Sequence, residues 1–438
     1  MSERLIRTEL PPHDAESARR GGAYLVGVVH PATSTAEVEA HLDELAALAD
    51  TAGFDEAGRA VLSLRRIQAA TFVGRGQADD VGVMARGLGA ELIAVDEDLT
   101  PAQVRNLEAA TELPVVDRAG LIIDIFAQHA RSREARTQVE LASLQYLLPR
   151  LAGRWTHLSR QVGGGPGGTK GEGEKQIELD RRIVRRRIDV LRRELARVEV
   201  SRRVRRRRRQ LPTAAIVGYT NVGKSSLFNA MAHGTVKVED QLFATLDPTV
   251  RRIDLGQRGA LLLKDTVGFI RKLPHHLVAS FRSTFEESAE SDLIVLVADP
   301  THPAGAEQLE TARRVLVESG LGELPRLLVF NKIDKLPFDA LLELSQRDPN
   351  ALLVSARSGA GIDRLVEVLA DRLLGETLVE TFKIPHDRGD LLADARRQGH
   401  VEACEADDGM ISFTLRASAR VLDAFQIRID ELRPRGRA

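Results

Sequence analysis

The segment GYTNVGKS, residues 218–225, has the residue types that bind nucleotide phosphates. It follows the apolar run TAAIV and precedes SSLFNAM, so it is expected between a strand and a helix. Gly218 and Gly223 allow successive backbone amides to turn toward phosphate oxygens. The Lys224 ammonium can contact the β- and γ-oxygens, and the Ser225 hydroxyl can bind Mg²⁺. This order of elements fits the P-loop pattern, which makes a chance glycine turn a poor alternative. The candidate phosphate-binding residues are Gly218, Tyr219, Thr220, Asn221, Val222, Gly223, Lys224 and Ser225.

A second segment, KDTVGF at 264–269, follows the apolar run ALLL. Asp265 is therefore expected at the carboxyl end of a strand, where its carboxylate can hold the metal ion through water. The Gly268 amide can contact the γ-phosphate, which makes this segment a nucleotide-dependent switch. The candidate residues of this second switch segment are Asp265, Thr266, Val267 and Gly268.

The string NKID at 331–334, after the apolar run LLVF, indicates which base is bound. The Asp334 carboxylate can accept two hydrogen bonds from guanine N1 and N2, and adenine has no equivalent pair of donors. Asn331 is expected to support the base, and the Lys332 side chain is expected to stack over it. A backbone amide of SAR, residues 355–357, is expected to meet the guanine oxygen. The sequence therefore predicts binding of GTP and GDP. The candidate base-binding residues are Asn331, Lys332, Ile333, Asp334, Ser355, Ala356 and Arg357.

A further switch segment, LFATLDPTV at 242–250, lies between these motifs. The hydroxyl of Thr245 or of Thr249 can complete the Mg²⁺ shell when GTP is bound, and spacing does not separate the two. The predicted metal ligands are Ser225 and one of these two threonines. The candidate nucleotide contacts of this first switch segment are Phe243, Ala244, Thr245, Leu246 and Asp247.

The position after Gly268 bears on catalysis. Small signalling GTPases place a water-orienting glutamine there, and this chain has Phe269. A phenyl ring cannot orient or deprotonate water, so isolated turnover is expected to be slow and a partner is expected to raise it by ordering the switch segments. The candidate catalytic residues are Lys224, Thr245 and Gly268.

The elements around these motifs predict a multidomain α/β protein of four parts. Alternating strands and helices, with strands at 23–29, 91–95 and 114–116, predict an N-terminal α/β domain. Leucine and valine spacings of three and four on both sides of a glycine-rich stretch predict an antiparallel helical hairpin. A P-loop domain with a mostly parallel sheet and a small C-terminal α+β domain follow. The predicted limits of the four parts are 1–134, 135–210, 211–375 and 376–438.

The tip of the hairpin and its second arm have unusual compositions. Seven of the eleven residues at 163–173 are glycine, which predicts a flexible tip without a helix. Residues 181–209 hold 15 arginines against three acidic residues, although the whole chain has a formal net charge of −1. This asymmetry predicts a basic surface that meets a polyanion, with a solvated helix face as the plainer alternative.

Composition excludes several classes of protein. With 43% apolar and 29% charged residues among 438, the chain is unlike disordered or collagen-like proteins. No apolar run approaches the ~20 residues that a membrane helix needs, and the N-terminus has no apolar signal core, so a cytoplasmic protein is predicted. The single cysteine, Cys404, excludes an intrachain disulfide and is expected to be a buried or half-buried thiol.

The motifs together resemble the HflX family, in the translation-factor-related class of P-loop GTPases. The marks are GGGPGGTKGEGEKQIELDRR at 163–182, FVGRGQADDV at 72–81, and GYTNVGKS, LFATLDPT, DTVGFI and NKID. The resemblance implies a GTPase that binds the large ribosomal subunit and splits stalled or idle ribosomes, especially under stress. It favours Thr245 over Thr249 as the metal ligand. It also assigns Asn221 to a K⁺ ion beside the phosphates, against the alternative of a side chain that only stabilises the loop.

Two alternatives for the partner stay open. A GTPase that signals or assists assembly on RNA, or on a membrane surface, without splitting ribosomes would carry the same motifs. Basic charge alone does not distinguish RNA from acidic lipid, so peripheral membrane contact stays an alternative, and the narrow heptad seam favours RNA. We expect a monomer.

Overall fold

The computed structural model describes residues 20–31, 33–151, 170–206, 211–232, 242–243, 249–255, 258–272, 291–375, 377–407 and 409–430. The described residues divide into two compact units. The first unit holds those up to 199 together with Leu242, Phe243 and Lys272, and the second unit holds the others. The predicted multidomain α/β class is confirmed, and the four predicted limits stay predictions.

The N-terminal part is a four-stranded parallel sheet in the order β2-β1-β3-β4. Its strands are Gly22–Val29 (β1), Asp55–Ser63 (β2), Ala90–Val95 (β3) and Val115–Asp117 (β4). Its helices are Thr35–Thr51 (α1), Arg75–Gly87 (α2), Pro101–Thr111 (α3) and Arg118–His129 (α4). The three predicted strands are present, and the FVGRGQADDV string is the turn that leads into α2, with Gly74 as its N-cap.

Charged side chains gather at the carboxyl edge of this sheet. Arg118 is fully buried and pairs with Asp96, which follows β3, at 2.7 Å. Asp117, at the end of β4, accepts hydrogen bonds from the Gly120 amide at 2.9 Å and from Arg150 at 2.7 Å. Buried ions are tolerated only when they are paired in this way, so the edge is a fixed, hydrogen-bonded surface.

Two helices, Arg133–Leu147 (α5) and Lys170–Arg206 (α6), pack along the two predicted apolar seams. The contacting residues are Leu141, Leu144, Leu148, Leu151, Val184, Ile188, Leu191 and Leu195. The prediction that the glycine-rich tip extends to residue 173 is wrong at its end, because α6 begins at Lys170 and includes Gly171 and Gly173. Tertiary context can override the low helix propensity of glycine. Residues 163–169 lie outside the described residues.

The seam is not the only apolar row on α6. Leu179, Ile183 and Val190 are 40%, 49% and 39% exposed, so they lie outside the buried seam. These exposed apolar side chains weaken the preference for RNA over a membrane surface that the narrow seam indicated. In the described part of the chain, no helix is both long and apolar enough to cross a membrane.

The second unit contains a six-stranded sheet in the order β10-β9-β8-β5-β7-β6. Its strands are Thr213–Gly218 (β5), Thr249–Asp254 (β6), Ala260–Asp265 (β7), Leu293–Ala298 (β8), Arg326–Phe330 (β9) and Leu352–Leu353 (β10). Its helices are Lys224–Ala232 (α7), Gly305–Glu318 (α8), Phe338–Arg347 (α9) and Ile362–Leu374 (α10). All pairings are parallel except β6 with β7, so the predicted mostly parallel sheet is confirmed.

The C-terminal part is an antiparallel sheet in the order β11-β13-β12 with two helices, as predicted. Its elements are Thr377–Pro385 (β11), Gly389–Gln398 (α11), His400–Asp407 (β12), Met410–Ser418 (β13) and Ala419–Asp430 (α12). Phe382, Phe413 and Phe425 pack together in its core. Cys404, expected to be at least half-buried, is exposed because it lies on the edge strand β12, most of which faces solvent.

Candidate nucleotide-binding site

The P-loop connects the central strand β5 to helix α7. Gly218 ends β5 with φ +156°, and a Cβ atom there would lie 2.3 Å from the carbonyl oxygen of Val297 on the neighbouring strand β8. Gly223 has φ +88°, and a Cβ atom there would lie 2.4 Å from the side-chain nitrogen of Asn331. Only glycine fits these two positions, since any side chain would collide and a left-handed backbone is unfavourable for other residues.

Backbone hydrogen bonds join the P-loop to the second switch segment. The Thr220 amide donates to the Phe269 carbonyl at 2.7 Å, and the Phe269 amide donates to the Gly218 carbonyl at 2.9 Å. The Arg271 amide donates to the Tyr219 hydroxyl at 2.7 Å. Phe269 itself is 1% exposed, so its ring packs in the interior. This agrees with the expectation that a phenyl ring does not orient or deprotonate water. The two motifs therefore form one hydrogen-bonded surface.

Lys224 is buried beneath this surface. Its Nζ donates to the Tyr219 carbonyl oxygen at 2.7 Å. Burial lowers the pKa of Lys224 to about 8, and the neighbouring Asp265 carboxylate opposes that decrease. Gly268 lies beside the ammonium, and a Cβ atom there would be 2.8 Å from Nζ. The absence of a side chain at Gly268 therefore leaves room for the ammonium and a phosphate oxygen.

The predicted metal-binding groups lie side by side. The Ser225 hydroxyl donates to Asp265 Oδ2 at 2.7 Å, which places one expected ligand beside the carboxylate expected to act through water. Hard oxygen donors of this kind suit Mg²⁺. Thr249, the alternative to Thr245, begins β6 and pairs in register with Asp265. Thr245 lies outside the described residues.

Asn331 connects three loops of the base-binding region. Its side-chain nitrogen donates to the Val222 carbonyl at 2.9 Å, and its oxygen accepts from the Ala356 amide at 3.0 Å. Asp334 Oδ1 accepts from the Ser355 hydroxyl at 2.6 Å, and this bond holds the pKa of the carboxyl below its usual value. A charged Asp334 is the form that accepts two hydrogen bonds from guanine.

Asp299 is a site residue that the sequence analysis did not identify. Its carboxylate pairs with Lys332 Nζ at 2.8 Å, and the same ammonium donates to the Asn221 carbonyl at 2.7 Å. Lys332 has φ +65° and is held between the two loops. The signal for Asp299 was its position directly after β8, because carboxyl ends of parallel strands share one edge of the sheet.

The structure thus brings together the predicted residues of the P-loop, the second switch segment, NKID and SAR. Of the first switch segment, Ala244, Thr245, Leu246 and Asp247 lie outside the described residues. Phe243 belongs to the first unit, where its ring packs on Phe126. The roles assigned to individual residues stay predictions.

Comparison with known proteins covers nearly the whole chain. Four family models match: "GTP-binding GTPase N-terminal" at 39–127, "GTP-binding GTPase Middle Region" at 129–209, "50S ribosome-binding GTPase" at 213–332 and "HflX C-terminal domain" at 340–435. "GTPase HflX" of Escherichia coli (strain K12) is 42% identical over 384 residues, which is 86% of this chain and 89% of that protein. The chain belongs to the HflX family of GTPases.

A second relative agrees with this membership. "GTPase HflX" of Caldanaerobacter subterraneus subsp. tengcongensis is 41% identical, covering 91% of each chain. The crystal structure of a GTP-binding protein from Sulfolobus solfataricus in complex with GDP is 25% identical with a TM-score of 0.42, covering 81% of this chain and 99% of that one. As an HflX GTPase, the protein binds guanine nucleotides and hydrolyses GTP, which confirms the predicted enzyme class.

Asp334 is the residue whose replacement is expected to change base preference in this HflX GTPase. Asp334→Asn should weaken GTP binding by roughly 10- to 100-fold, because hydrogen bonds to a charged acceptor contribute about 1.5–3 kcal/mol. It should improve binding of xanthosine triphosphate, whose O2 can accept from the new amide. Displacement of a fluorescent GDP by each nucleotide measures both effects. Asp339→Asn, at an exposed position on α9, is the matched control, and equal losses for both bases would contradict the assignment.

Proposed function

We propose that the protein binds the large ribosomal subunit in its GTP state and splits stalled or idle ribosomes, with hydrolysis resetting it. The observation that carries this proposal is the basic face of α6 in a GTPase chain. Arg182, Arg185, Arg186, Arg187, Arg192, Arg193 and Arg197 are all exposed on this helix. The match of residues 213–332 to a family described as "50S ribosome-binding GTPase" supports the same partner.

Ribosomal RNA suits this face on chemical grounds. The planar guanidinium pairs with phosphate oxygens in a bidentate fashion and stacks on bases. Aromatic residues make up only 4% of the chain, so recognition by base stacking on an aromatic sheet is disfavoured. Binding through arginines and phosphates releases counterions, so the affinity should fall steeply as salt is added.

The proposed site uses Mg²⁺ held by Ser225 and Thr245, and the bound ion supplies charge stabilisation for phosphoryl transfer. Asn221 is the candidate for contact with K⁺; it has φ +60° and lies at the turn of the P-loop. Because Phe269 is buried and replaces the usual glutamine, we propose that hydrolysis is slow in the free protein. Ribosome docking would raise the rate by ordering the two switch segments.

Sucrose-gradient sedimentation of intact ribosomes with this protein tests the proposal. With GTP or a non-hydrolysable analogue, the protein should comigrate with large subunits and the intact particles should separate into subunits. With GDP, both effects should be lost. Splitting by the analogue would mean that binding performs the work and hydrolysis resets the factor. Attachment that is equal with no nucleotide, GDP and the analogue would refute the proposal.

The second candidate is a GTPase that binds a membrane surface without splitting ribosomes. The observation that favours it is the exposed row of Leu179, Ile183 and Val190 beside the arginines of α6. Cosedimentation with anionic vesicles, run in parallel with purified large subunits, separates the two functions. Binding to the vesicles alone would support this candidate and contradict the ribosomal one.

A further inference from the structure

Asp299 lies at the one edge of the sheet from which both loops of the nucleotide site start. It directly follows β8, which has β5 on one side and β9 on the other. The P-loop leaves the carboxyl end of β5, and NKID leaves that of β9. Ala298 pairs in register with Phe330, and the Asn331 amide donates to the Ala298 carbonyl at 2.9 Å. Parallel alignment therefore brings the carboxylate that follows β8 to the backbone of NKID.

A chain of polar contacts connects the two loops through this carboxylate. Asp299 Oδ2 lies 2.8 Å from Lys332 Nζ, and the same ammonium donates to the Asn221 carbonyl oxygen of the P-loop at 2.7 Å. We call these two contacts of the ammonium the lysine bridge. Asp299 Oδ1 accepts from the Thr301 amide at 2.9 Å and from the Thr301 hydroxyl at 2.6 Å. One oxygen of the carboxylate is therefore held by the loop after β8, and the other holds the lysine.

The lysine bridge is charged and largely shielded from water. The side chain of Asp299 is 8% exposed and that of Lys332 is 23% exposed. Burial alone would raise the pKa of Asp299, but hydrogen bonds from Lys332 and Thr301 outweigh it and hold that pKa below its usual value. The carboxylate is therefore charged at neutral pH. Separating such a pair leaves an uncompensated buried charge, so the bridge resists opening.

The lysine bridge limits where the lysine stem can lie. Lys332 has φ +65° and Asn221 has φ +60°, and a left-handed backbone persists in a lysine only when the surroundings enforce it. Because the ammonium is held by two acceptors, the four-carbon stem that is predicted to stack over guanine is fixed at both ends. Its rotamer entropy is lost when the protein folds and not when the nucleotide binds. A stem fixed in this way stacks on the base at a lower entropic cost.

The shape of the P-loop also depends on contacts outside the lysine bridge. Asn331 Nδ2 donates to the Val222 carbonyl at 2.9 Å, and the Thr220 amide donates to the Phe269 carbonyl at 2.7 Å. Both contacts are independent of Asp299. Loss of the Asp299 carboxylate should therefore leave the phosphate site formed, and its effect should be confined to ligands that carry a base.

We propose that Asp299 is a positioning residue for guanine binding, which acts through Lys332 to slow the release of GDP and GTP. The inference rests on the predicted stacking of Lys332 over the base, and it does not require the ribosomal partner proposed above. Lys332 would meet the face of the base, whereas Asp334 is predicted to meet its edge. Asp299 therefore sets how long a nucleotide stays bound and leaves the choice of base unchanged.

Release of a fluorescent GDP from the full chain tests this role. Asp299→Asn should speed release about tenfold and change the association rate by less than about twofold, because a neutral amide holds the ammonium less strongly than a carboxylate. The amide keeps the shape of the side chain, and its oxygen can still accept from Thr301. The ratio of GDP to inosine diphosphate affinity, which reports contacts at the base edge, should keep its wild-type value. Asp339→Asn, at an exposed position on α9, is the matched control.

A double-mutant cycle shows whether the effect passes through the lysine. Lys332→Ala should speed GDP release at least as much as Asp299→Asn, and Asp299→Asn should add nothing in the Lys332→Ala background. Tripolyphosphate, which has no base, should bind Asp299→Asn as it binds the wild type. Thr301→Ala removes only one of the hydrogen bonds that orient the carboxylate, so it is a milder second variant. It should speed release about twofold to threefold.

Three results would overturn the role of Asp299. The first is GDP release at the wild-type rate in both Asp299→Asn and Thr301→Ala. The second is an effect of Asp299→Asn that adds in full to that of Lys332→Ala, because the carboxylate would then act by another route. The third is tripolyphosphate binding that weakens as much as GDP binding, which would mean that the substitution distorts the P-loop itself.

Discussion

Replacing Lys224 with alanine is expected to weaken binding of both GTP and GDP by about 100-fold. The buried ammonium is placed to donate charge-assisted hydrogen bonds to phosphate oxygens, which contribute about 1.5–3 kcal/mol. Because this contact is made by both nucleotides, the loss should be similar for each. Fluorescence titration with a labelled GDP, and competition by GTP, measure it.

The low pKa of Lys224 adds a pH dependence with a definite sign. A phosphate that contacts the ammonium raises its pKa above the value of about 8 in the free protein. Nucleotide affinity is therefore at its maximum below pH 8 and falls by up to tenfold per pH unit above it. The Lys224→Ala variant should show a flatter profile between pH 7 and pH 9, while Lys383→Ala, at an exposed position of β11, should behave as wild type. A steep profile in Lys224→Ala would assign the titration to another group.

The second large effect concerns Gly218. Gly218→Ala should lower the free energy of unfolding by about 3 kcal/mol or more, because the new methyl group meets the Val297 carbonyl at 2.3 Å and neither backbone can move without breaking the β5–β8 pairing. Nucleotide binding should be lost with it. Thermal unfolding, followed by circular dichroism, gives the change in Tm.

Gly320→Ala is a control that separates the destabilising effect of a steric collision from that of an unfavourable backbone conformation. Gly320 has φ +75° with no atom within 4 Å of the Cβ position, so the variant should lose only about 1 kcal/mol. If Gly218→Ala and Gly320→Ala destabilise the protein equally, close packing against Val297 is not what requires glycine at the P-loop.

Most of the fold could be predicted because its strands are buried. LIVLVA of β8 is apolar throughout, and all six of its residues are buried. β2 and β6 were missed because both are edge strands. DEAGRAVLS and TVRRID carry charged residues along partly exposed backbone, so neither shows the apolar run or the clean alternation that marks a strand. Hydrogen bonding to the neighbouring strand, which the sequence does not display, determines their structure.

Site residues could be predicted where they belong to short motifs, and not where they are defined by contacts between distant parts of the chain. Phosphate, metal and base motifs are short strings whose chemistry can be read directly. The bond from Asn331 to Val222 spans 109 residues, and the contact of Lys272 with Asp96 spans 176. No spacing rule predicts contacts of this length, which is why Asp299 was identified only in the folded chain.

The exposed edge strand β12 leaves the protein's only thiol accessible to reagents. A maleimide dye can therefore be attached to Cys404 at one defined place, without first removing other cysteines, for single-molecule observation on ribosomes. The same accessibility lets two molecules join through an intermolecular disulfide when a preparation is oxidised. Covalent dimers in stored samples should therefore disappear on addition of a reducing agent.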